Sequence, residues 1–190
     1  MDKNIVLIGM SGAGKTSVGR ALSYRLKMAF LDMDDFIEKK ENMTVSEIFE
    51  KYGEEYFRNL ETETAKHLNE NYKNTIISTG GGVVLNPLNM DYLKRCGTVI
   101  YINRSVERIL STLNAKKRPL LKSNPEKLYD MYSIRHPLYL KYADICIPNN
   151  GDIKECVENI AELKINWMHI AFSLFFIVFY LQDFSFLYMF

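Results

Sequence analysis

The residues best suited to chemistry form a glycine-rich stretch that ends in a lysine and a threonine. Residues 9–16 read Gly-Met-Ser-Gly-Ala-Gly-Lys-Thr and fit the pattern G-x-x-x-x-G-K-[ST]. An apolar run precedes them at residues 4–8, and apolar residues at helical spacing follow them. A strand, a glycine loop and a helix together form a phosphate site, because loop N–H groups and the helix N-terminus face the anion. This context disfavours a glycine turn without a ligand and predicts nucleoside triphosphate binding.

The side chains of this loop have separate expected roles. Lys15 would reach the β- and γ-phosphates, and the hydroxyl of Thr16 would ligate Mg²⁺. The residues expected to contact the nucleotide phosphates are Gly12, Ala13, Gly14, Lys15, Thr16 and Ser17. The loop therefore predicts both an anion site and a place for a divalent cation.

Two aspartates, Asp32 and Asp34, follow the second predicted strand. Alternation along an extended chain would point both carboxylates toward the phosphate site. One could hold Mg²⁺ through water, while the other accepts a hydrogen bond from an attacking hydroxyl. Alternatively, the pair caps the following helix, a position that aspartate favours. Spacing alone leaves both interpretations open.

Candidate ligands for an acceptor lie further along the chain. Gly80, Gly81 and Gly82 follow the third predicted strand, where they would let the backbone approach a ligand and offer N–H donors. Arg58 and Arg135 could each be an ordinary solvated arginine. Together with a glycine loop, they could instead bind a carboxylate through bidentate hydrogen bonds.

A basic run, residues 116–121, also has two interpretations. It could be a solvated loop, or it could be a lid that brings Arg118 onto a transferring phosphate. The residue types favour neither interpretation by themselves.

The elements that must position these residues alternate between strands and helices. The predicted strands are residues 4–8, 29–32, 75–78, 98–102 and 144–147. Between them lie helical segments, one of which begins with the capping-box spacing Thr44-x-x-Glu47 and stops near Gly53. This alternation predicts an α/β fold with a parallel sheet and helices on both faces. Ligands of such sheets bind at the carboxyl ends of the strands, which is where the phosphate loop, the two aspartates and the glycine triplet are found.

Composition limits the possible functions. The chain has 190 residues, enough for one good core, and its net charge of +1 gives no basic field for nucleic acid. Its three cysteines, Cys96, Cys146 and Cys156, show no C-x-x-C spacing, which favours buried thiols in a reducing compartment. We expect a cytoplasmic protein without a signal peptide.

The chain resembles the shikimate kinases over residues 4–163. The residues that carry the resemblance are the loop at 9–16, Asp32-x-Asp34, Gly53-Glu-x-x-Phe57-Arg58-x-x-Glu61, Thr79-Gly-Gly-Gly82, Arg118-Pro-Leu120 and Arg135-x-Pro137-Leu-Tyr139. These motifs in this order are far more specific than a phosphate loop alone. The resemblance implies a three-layer P-loop kinase fold with a five-stranded parallel sheet of order 2-3-1-4-5.

The resemblance also implies a reaction, the transfer of the ATP γ-phosphate to the 3-hydroxyl of shikimate in aromatic amino-acid biosynthesis. By this resemblance shikimate is bound by Asp34, Arg58, Gly80, Gly81, Gly82 and Arg135, with both arginines on its carboxylate. Lys15, Asp34 and Arg118 would be catalytic. Thr16 and Asp32 would serve Mg²⁺, and Pro148 would lie near adenine. We expect a monomer.

Two departures from the family pattern concern the nucleotide. Many members carry an arginine that stacks on adenine seven residues before the lid arginine, where this chain has Ser111. Adenine packing must then come from elsewhere. Thr16 replaces the more common serine but supplies the same hydroxyl.

Other functions remain alternatives to this one. The nearest is another P-loop small-molecule kinase, such as a gluconate or nucleoside-monophosphate kinase. A GTP-dependent switch would need an Asn-Lys-x-Asp motif, which does not occur in the sequence.

The last 26 residues differ in composition from the rest of the chain, with Asp183 as their only charged residue. We expect residues 1–164 to form the kinase domain and residues 165–190 to lie outside it. The tail could span a membrane, although Asn166 and His169 weaken that interpretation. It could instead be an extra helix on an apolar surface. A third interpretation is an extension without a function, such as the translation of a shifted reading frame. We favour the last.

Overall fold

The structure is a computed structural model that describes residues 3–112 and 125–164. Its strands are β1 (Asn4–Ile8), β2 (Ala29–Asp32), β3 (Thr75–Ser78), β4 (Gly97–Asn103) and β5 (Ile145–Pro148). Its helices are α1 (Lys15–Leu26), α2 (Met33–Glu41), α3 (Val45–Asn71), α4 (Pro87–Cys96), α5 (Val106–Thr112), α6 (Pro125–Tyr142) and α7 (residues 153–164), with a short 3₁₀ turn at Val83–Leu85. The predicted tail and the predicted lid, with Arg118, lie outside the described residues.

The five strands form one parallel sheet in the order β2-β3-β1-β4-β5, so the predicted topology is confirmed. The connection through α1 runs from β1 to β2, toward one edge of the sheet. The connection through α4 runs from β3 to β4, toward the other edge. Right-handed crossovers therefore place these helices on opposite faces of the sheet. Strand β1 is buried along its whole length, as a central parallel strand should be. The order reverses beside β1, the position at which open α/β sheets bind ligands.

Helix α3 begins as its sequence predicts. The Thr44 hydroxyl accepts a 3.2 Å hydrogen bond from the Glu47 amide, and the Glu47 carboxylate accepts a 2.7 Å bond from the Thr44 amide. Gly53 interrupts the helix with a left-handed φ of 82°, a conformation that costs glycine little. The predicted stop near Gly53 is therefore confirmed as a kink, and the second part of α3 continues from there to Asn71.

Gly97 lies at the junction between α4 and β4. Its backbone is extended rather than left-handed, and it begins β4. A Cβ at Gly97 would overlap the Asn4 carbonyl of β1. The glycine therefore allows two neighbouring strands to approach each other.

Most apolar side chains belong to one core around the sheet. A second, smaller core lies between α2 and α3 and consists of Ile37, Ile48, Phe57 and Leu60, with Met43, Val45 and Phe49 packed on it. Within residues 3–112 and 125–164, no helix combines the length and apolar character needed to cross a bilayer.

Candidate active site

The phosphate loop connects β1 to α1 at the centre of the sheet edge. Gly12 and Gly14 adopt left-handed φ angles of 88° and 97°, and Gly14 occupies the N-cap position of α1. A Cβ at Gly14 would lie 2.7 Å from the Asn149 side-chain nitrogen, so the position also lacks room for a side chain. The loop therefore depends on glycine for both its turn and its packing.

Lys15 lies inside this loop. Its side chain is buried, and Nζ donates hydrogen bonds of 2.8 Å to the Gly9 carbonyl and 3.0 Å to the Met10 carbonyl. A buried ammonium next to the α1 N-terminus adds positive charge where a phosphate group would bind.

Asp32 caps α2, as one interpretation of the sequence predicts, and it also contacts the phosphate loop. Its Oδ1 accepts a 3.1 Å hydrogen bond from the Asp34 amide and so caps α2, while its Oδ2 accepts a 2.8 Å bond from the Thr16 hydroxyl. The Ser78 hydroxyl lies 3.4 Å from that of Thr16. The hydroxyl and carboxylate oxygens of Thr16 and Asp32 form a hard donor set that suits Mg²⁺.

Asp34 is positioned differently from what strand alternation predicts. It lies in the first turn of α2 rather than on an extended strand, because Asp32 already ends β2. The turn of the helix, not the pleat, brings its carboxylate to the cleft. The expected proximity to the phosphate loop is present, but its predicted cause was wrong.

The glycine triplet approaches charged side chains closely. A Cβ at Gly80 would lie 2.8 Å from Asp34 Oδ1 and 2.8 Å from Glu61 Oε1. A Cβ at Gly82 would lie 2.7 Å from the Arg58 guanidinium carbon. Side chains at these positions would displace the very groups expected to bind an acceptor.

Arg58 pairs with two carboxylates. Its Nη1 lies 2.5 Å from the buried Glu61 carboxylate, and its Nη2 lies 2.8 Å from the more exposed Glu54 carboxylate. Burial lowers the pKa of Arg58, but the charges and hydrogen bonds of both glutamates outweigh it and raise the pKa above its ordinary value. Burial raises the pKa of Glu61, with Arg58 opposing the shift. The guanidinium therefore stays charged.

Arg135 lies on α6, one turn before Tyr139, and is half-buried. Burial raises the pKa of Tyr139 above its ordinary value, and the charge of Arg135 opposes this shift. The Arg135 charge likewise opposes the raised pKa of Glu61. Arg135 and Arg58 therefore act electrostatically on the same carboxylate.

A cleft of about 1220 Å³ opens at the carboxyl edge of the sheet. The predicted site residues that line it are Gly12, Gly14, Lys15, Thr16, Ser17, Asp32, Asp34 and Gly81. Arg58, Gly80 and Gly82 do not line it but join it through the contacts with Asp34 and Glu61 described above. Pro148 is exposed at the end of β5 and does not line the cleft either.

Two residues of this region escaped sequence reasoning. Asn149 is buried and donates a 2.8 Å hydrogen bond to the Ala13 carbonyl, which ties the end of β5 to the phosphate loop. Arg104 lines the cleft immediately after β4. Both follow strands at the carboxyl edge, so the rule that located the other candidates would have identified them.

Comparison with known proteins gives one family. The family model described as shikimate kinase matches residues 11–164. A shikimate kinase of Clostridium botulinum (strain Alaska E43 / Type E3) is 42% identical over 166 residues, covering 87% of this chain and 99% of the relative. A shikimate kinase of Dictyoglomus turgidum is 41% identical over 167 residues, covering 85% and 97%.

Solved structures agree with the sequence relatives. The shikimate kinase of Acinetobacter baumannii in complex with shikimate matches with a TM-score of 0.81 at 40% identity, covering 87% of this chain and 94% of that chain. The shikimate kinase of Aquifex aeolicus matches with a TM-score of 0.75 at 37% identity, covering 86% and 97%. The order of the motifs, the topology of the sheet and these matches lead to one conclusion. The chain belongs to the shikimate kinase family.

Proposed function

We propose that this chain catalyses the ATP-dependent phosphorylation of shikimate at its 3-hydroxyl, a step of aromatic amino-acid biosynthesis. The observation that carries the proposal is the shared cleft, in which Lys15 of the phosphate loop, Asp34 and Gly81 face one another. A donor site and an acceptor site thus meet at the same edge of the sheet.

The donor half is the phosphate loop with its cation site. Lys15 and the loop amides bind the ATP phosphates, and the Thr16 hydroxyl and Asp32 carboxylate hold Mg²⁺. When bound, Mg²⁺ neutralises charge on the phosphates. The 2.8 Å contact between Thr16 and Asp32 supports this assignment because it brings the two oxygen ligands together.

The acceptor half is built around a carboxylate. Arg58 and Arg135 bind the carboxylate of shikimate, because a planar guanidinium fixes both position and orientation. The exposed Glu54 now occupies two nitrogens of Arg58, and a substrate carboxylate would take its place there. The buried Glu61 would keep its own bond and hold the guanidinium in place.

The chemical step needs positioning and charge stabilisation more than covalent catalysis. Asp34 binds the acceptor hydroxyl and accepts its proton as the phosphoryl group arrives. Lys15 stabilises the negative charge on the phosphoryl group during its transfer. Arg118 remains the predicted lid residue that would complete this stabilisation and exclude water.

The decisive experiment is an ADP-release assay of the full chain with ATP and Mg²⁺, with and without shikimate. We expect ADP release that depends on shikimate, and NMR of the product should show phosphate on the 3-hydroxyl. Gluconate and nucleoside monophosphates serve as alternative acceptors. Faster turnover of either one than of shikimate would contradict the proposal.

We further propose that the enzyme works as a monomer in the cytoplasm, where ATP and small acids are available. Fractionation of cells expressing the full chain and gel filtration of the purified protein test this. Recovery only in washed membranes, or elution as a dimer, would contradict it.

A further inference from the structure

Arg104 lies at the nucleotide cleft but has no part in the reaction described above. It follows β4 directly and lines the cleft together with Ile109 and Thr112 of α5. Its position is therefore fixed by the end of a central strand, the part of the fold that carries the other site residues.

Arg104 has no ion-pair partner in the part of the chain that the structure describes. Among residues 3–112 and 125–164, no carboxylate oxygen lies within 4.0 Å of its side-chain nitrogens. Its Nε is buried and has no hydrogen-bond partner in that part of the chain. A buried donor without a partner is costly, and a ligand in the cleft would supply the missing partner. The carboxylate of Glu107, three residues further along the chain, accepts a 3.0 Å hydrogen bond from the Tyr129 hydroxyl.

The guanidinium lies beside the phosphate loop. A Cβ added to Gly14, the N-cap residue of α1, would lie 3.9 Å from the Arg104 Nη1. The backbone N–H groups at that helix end attract anions, and the guanidinium adds a further positive charge next to them.

The position within the sheet indicates which part of the nucleotide Arg104 meets. The acceptor residues Asp34 and Gly80 to Gly82 belong to the β2 and β3 side of β1, whereas Arg104 belongs to the β4 side. Phosphoryl transfer takes place on the acceptor side. The opposite side must then hold the end of the triphosphate that is attached to the nucleoside.

We propose that Arg104 binds the α-phosphate of the nucleotide and is a determinant of ATP and ADP affinity in this chain. Ser111 does not supply such a charge, and its hydroxyl donates a 2.9 Å hydrogen bond to the Arg108 carbonyl instead. The inference rests on the proposed function only in taking the cleft to be a nucleotide site.

Calorimetric titration of the full chain with ADP tests the inference. Arg104→Ala should raise the dissociation constant for ADP about 10- to 100-fold, as expected for loss of a charge-assisted hydrogen bond. Arg104→Lys should recover most of the affinity because it retains the charge. The control is Arg108→Ala, since Arg108 is exposed on the neighbouring helix α5 and does not line the cleft, and it should leave affinity unchanged.

Two outcomes would overturn the proposal. One is an Arg104→Ala chain that binds ADP as tightly as the unaltered chain. The other is an Arg104→Lys chain as weak as Arg104→Ala while Arg104→Gln retains affinity, which would indicate stacking of the planar group. Circular dichroism of each variant establishes that it is folded before titration.

Steady-state kinetics separates this inference from the proposed function. Arg104→Ala should raise KM for ATP by the same factor as the ADP dissociation constant, with kcat and the KM for shikimate nearly unchanged. ADP binding needs no acceptor, so failure of the chain to phosphorylate shikimate would refute the proposed function and leave the Arg104 titration valid. A fall in kcat without a change in ADP affinity would refute the α-phosphate assignment alone.

Discussion

Tyr139 donates a 2.5 Å hydrogen bond from its hydroxyl to the carbonyl oxygen of Gly81. Its ring is fully buried and stacks on Tyr101 of β4 at 4.9 Å between centroids. Because Tyr139 and Arg135 share one face of α6, this bond fixes the helix that carries Arg135 to the glycine triplet. The two sides of the proposed acceptor site are thus held in register by one hydroxyl.

Replacing Tyr139 with Phe should loosen the acceptor site without disturbing the donor site. We expect the free energy of unfolding to fall by about 1–2 kcal/mol, because a carbonyl loses its partner. The KM for shikimate should rise while the KM for ATP stays nearly constant. Tyr129→Phe is the matched control, because the Tyr129 hydroxyl bonds Glu107 on the surface. A Tyr139→Phe enzyme with unaltered shikimate KM would contradict the positioning role.

Replacing Lys15 with Met should remove most of the turnover. The loss of a buried ammonium that faces the phosphates should lower kcat by about 100- to 1,000-fold. Lys51→Met is the control, since Lys51 is exposed and its ammonium lies over the Tyr52 ring at 5.0 Å. Stopped assays at saturating ATP and shikimate measure the effect, and comparable kcat values for the two variants would refute the assignment of Lys15.

Gly82→Ala tests whether the glycine triplet makes room for Arg58. The added Cβ would overlap the guanidinium, which must then move away from its place beside Glu61. We expect the KM for shikimate to rise about tenfold or more, since a displaced Arg58 guanidinium can no longer bind a carboxylate through two hydrogen bonds. Gly151→Ala is the control, because the nearest atom to its added Cβ, an oxygen of the Glu155 carboxylate, lies at an ordinary contact distance of 3.6 Å. Unchanged shikimate kinetics in Gly82→Ala would exclude a role for this contact.

The three thiols should differ in reactivity. Cys146 is exposed, whereas Cys96 and Cys156 are buried. Burial, assisted by the Glu155 charge, raises the pKa of Cys156 to about 11. An aromatic disulfide reagent at pH 8 should therefore modify one thiol in the native chain and three after unfolding. Cys146→Ser should abolish the native reaction, and a persisting reaction would mean that a buried thiol is accessible.

The raised pKa of Cys156 also makes stability depend on pH. The unfolded thiol loses its proton near its ordinary value of 9.0, while the folded thiol keeps it to about 11. Between these values the native state binds more protons, so the free energy of unfolding should fall as pH rises. Denaturant titrations of the unaltered chain and of Cys156→Ala should show a shallower decline in the variant.

Ending the chain at Lys164 should preserve the enzyme. The residues proposed to bind ATP and shikimate all precede this position. We expect unchanged kcat and both KM values in the shortened chain. Loss of folding or of shikimate turnover would show that residues 165–190 belong to the catalytic domain.

The central strands and the phosphate loop were predictable because their signals are local. Strands β1 and β3 are buried along their whole lengths, so adjacent apolar residues form the centre of each, and glycines follow both strands. The Thr44 and Glu47 capping box likewise depends on residues three apart. Such features need no knowledge of the tertiary structure.

Features that depend on distant parts of the chain were harder to predict. The place of Arg104 beside Gly14 and the bond from Asn149 to Ala13 join segments about 90 and 136 positions apart in sequence. Asp34 was assigned to the cleft for the wrong reason, because Asp32 caps a helix that begins at Met33 and so places Asp34 in its first turn. The ion pair between Arg58 and Glu54 could be predicted from their helical spacing. Only the close approach of Gly82 to the Arg58 guanidinium shows that this pair lies at the proposed acceptor site.

The small core between α2 and α3 has a consequence for the dynamics of the enzyme. It is separate from the main core, and the backbone that carries it changes direction at Gly53. A segment with its own few apolar contacts opens as a cooperative unit, with a smaller free energy than global unfolding. Asp34 and Arg58 lie near the two ends of this unit, so an acceptor that bridges both would slow amide hydrogen exchange there while leaving the central strands unaffected. Binding of the proposed acceptor would then be coupled to local order through these seven apolar side chains.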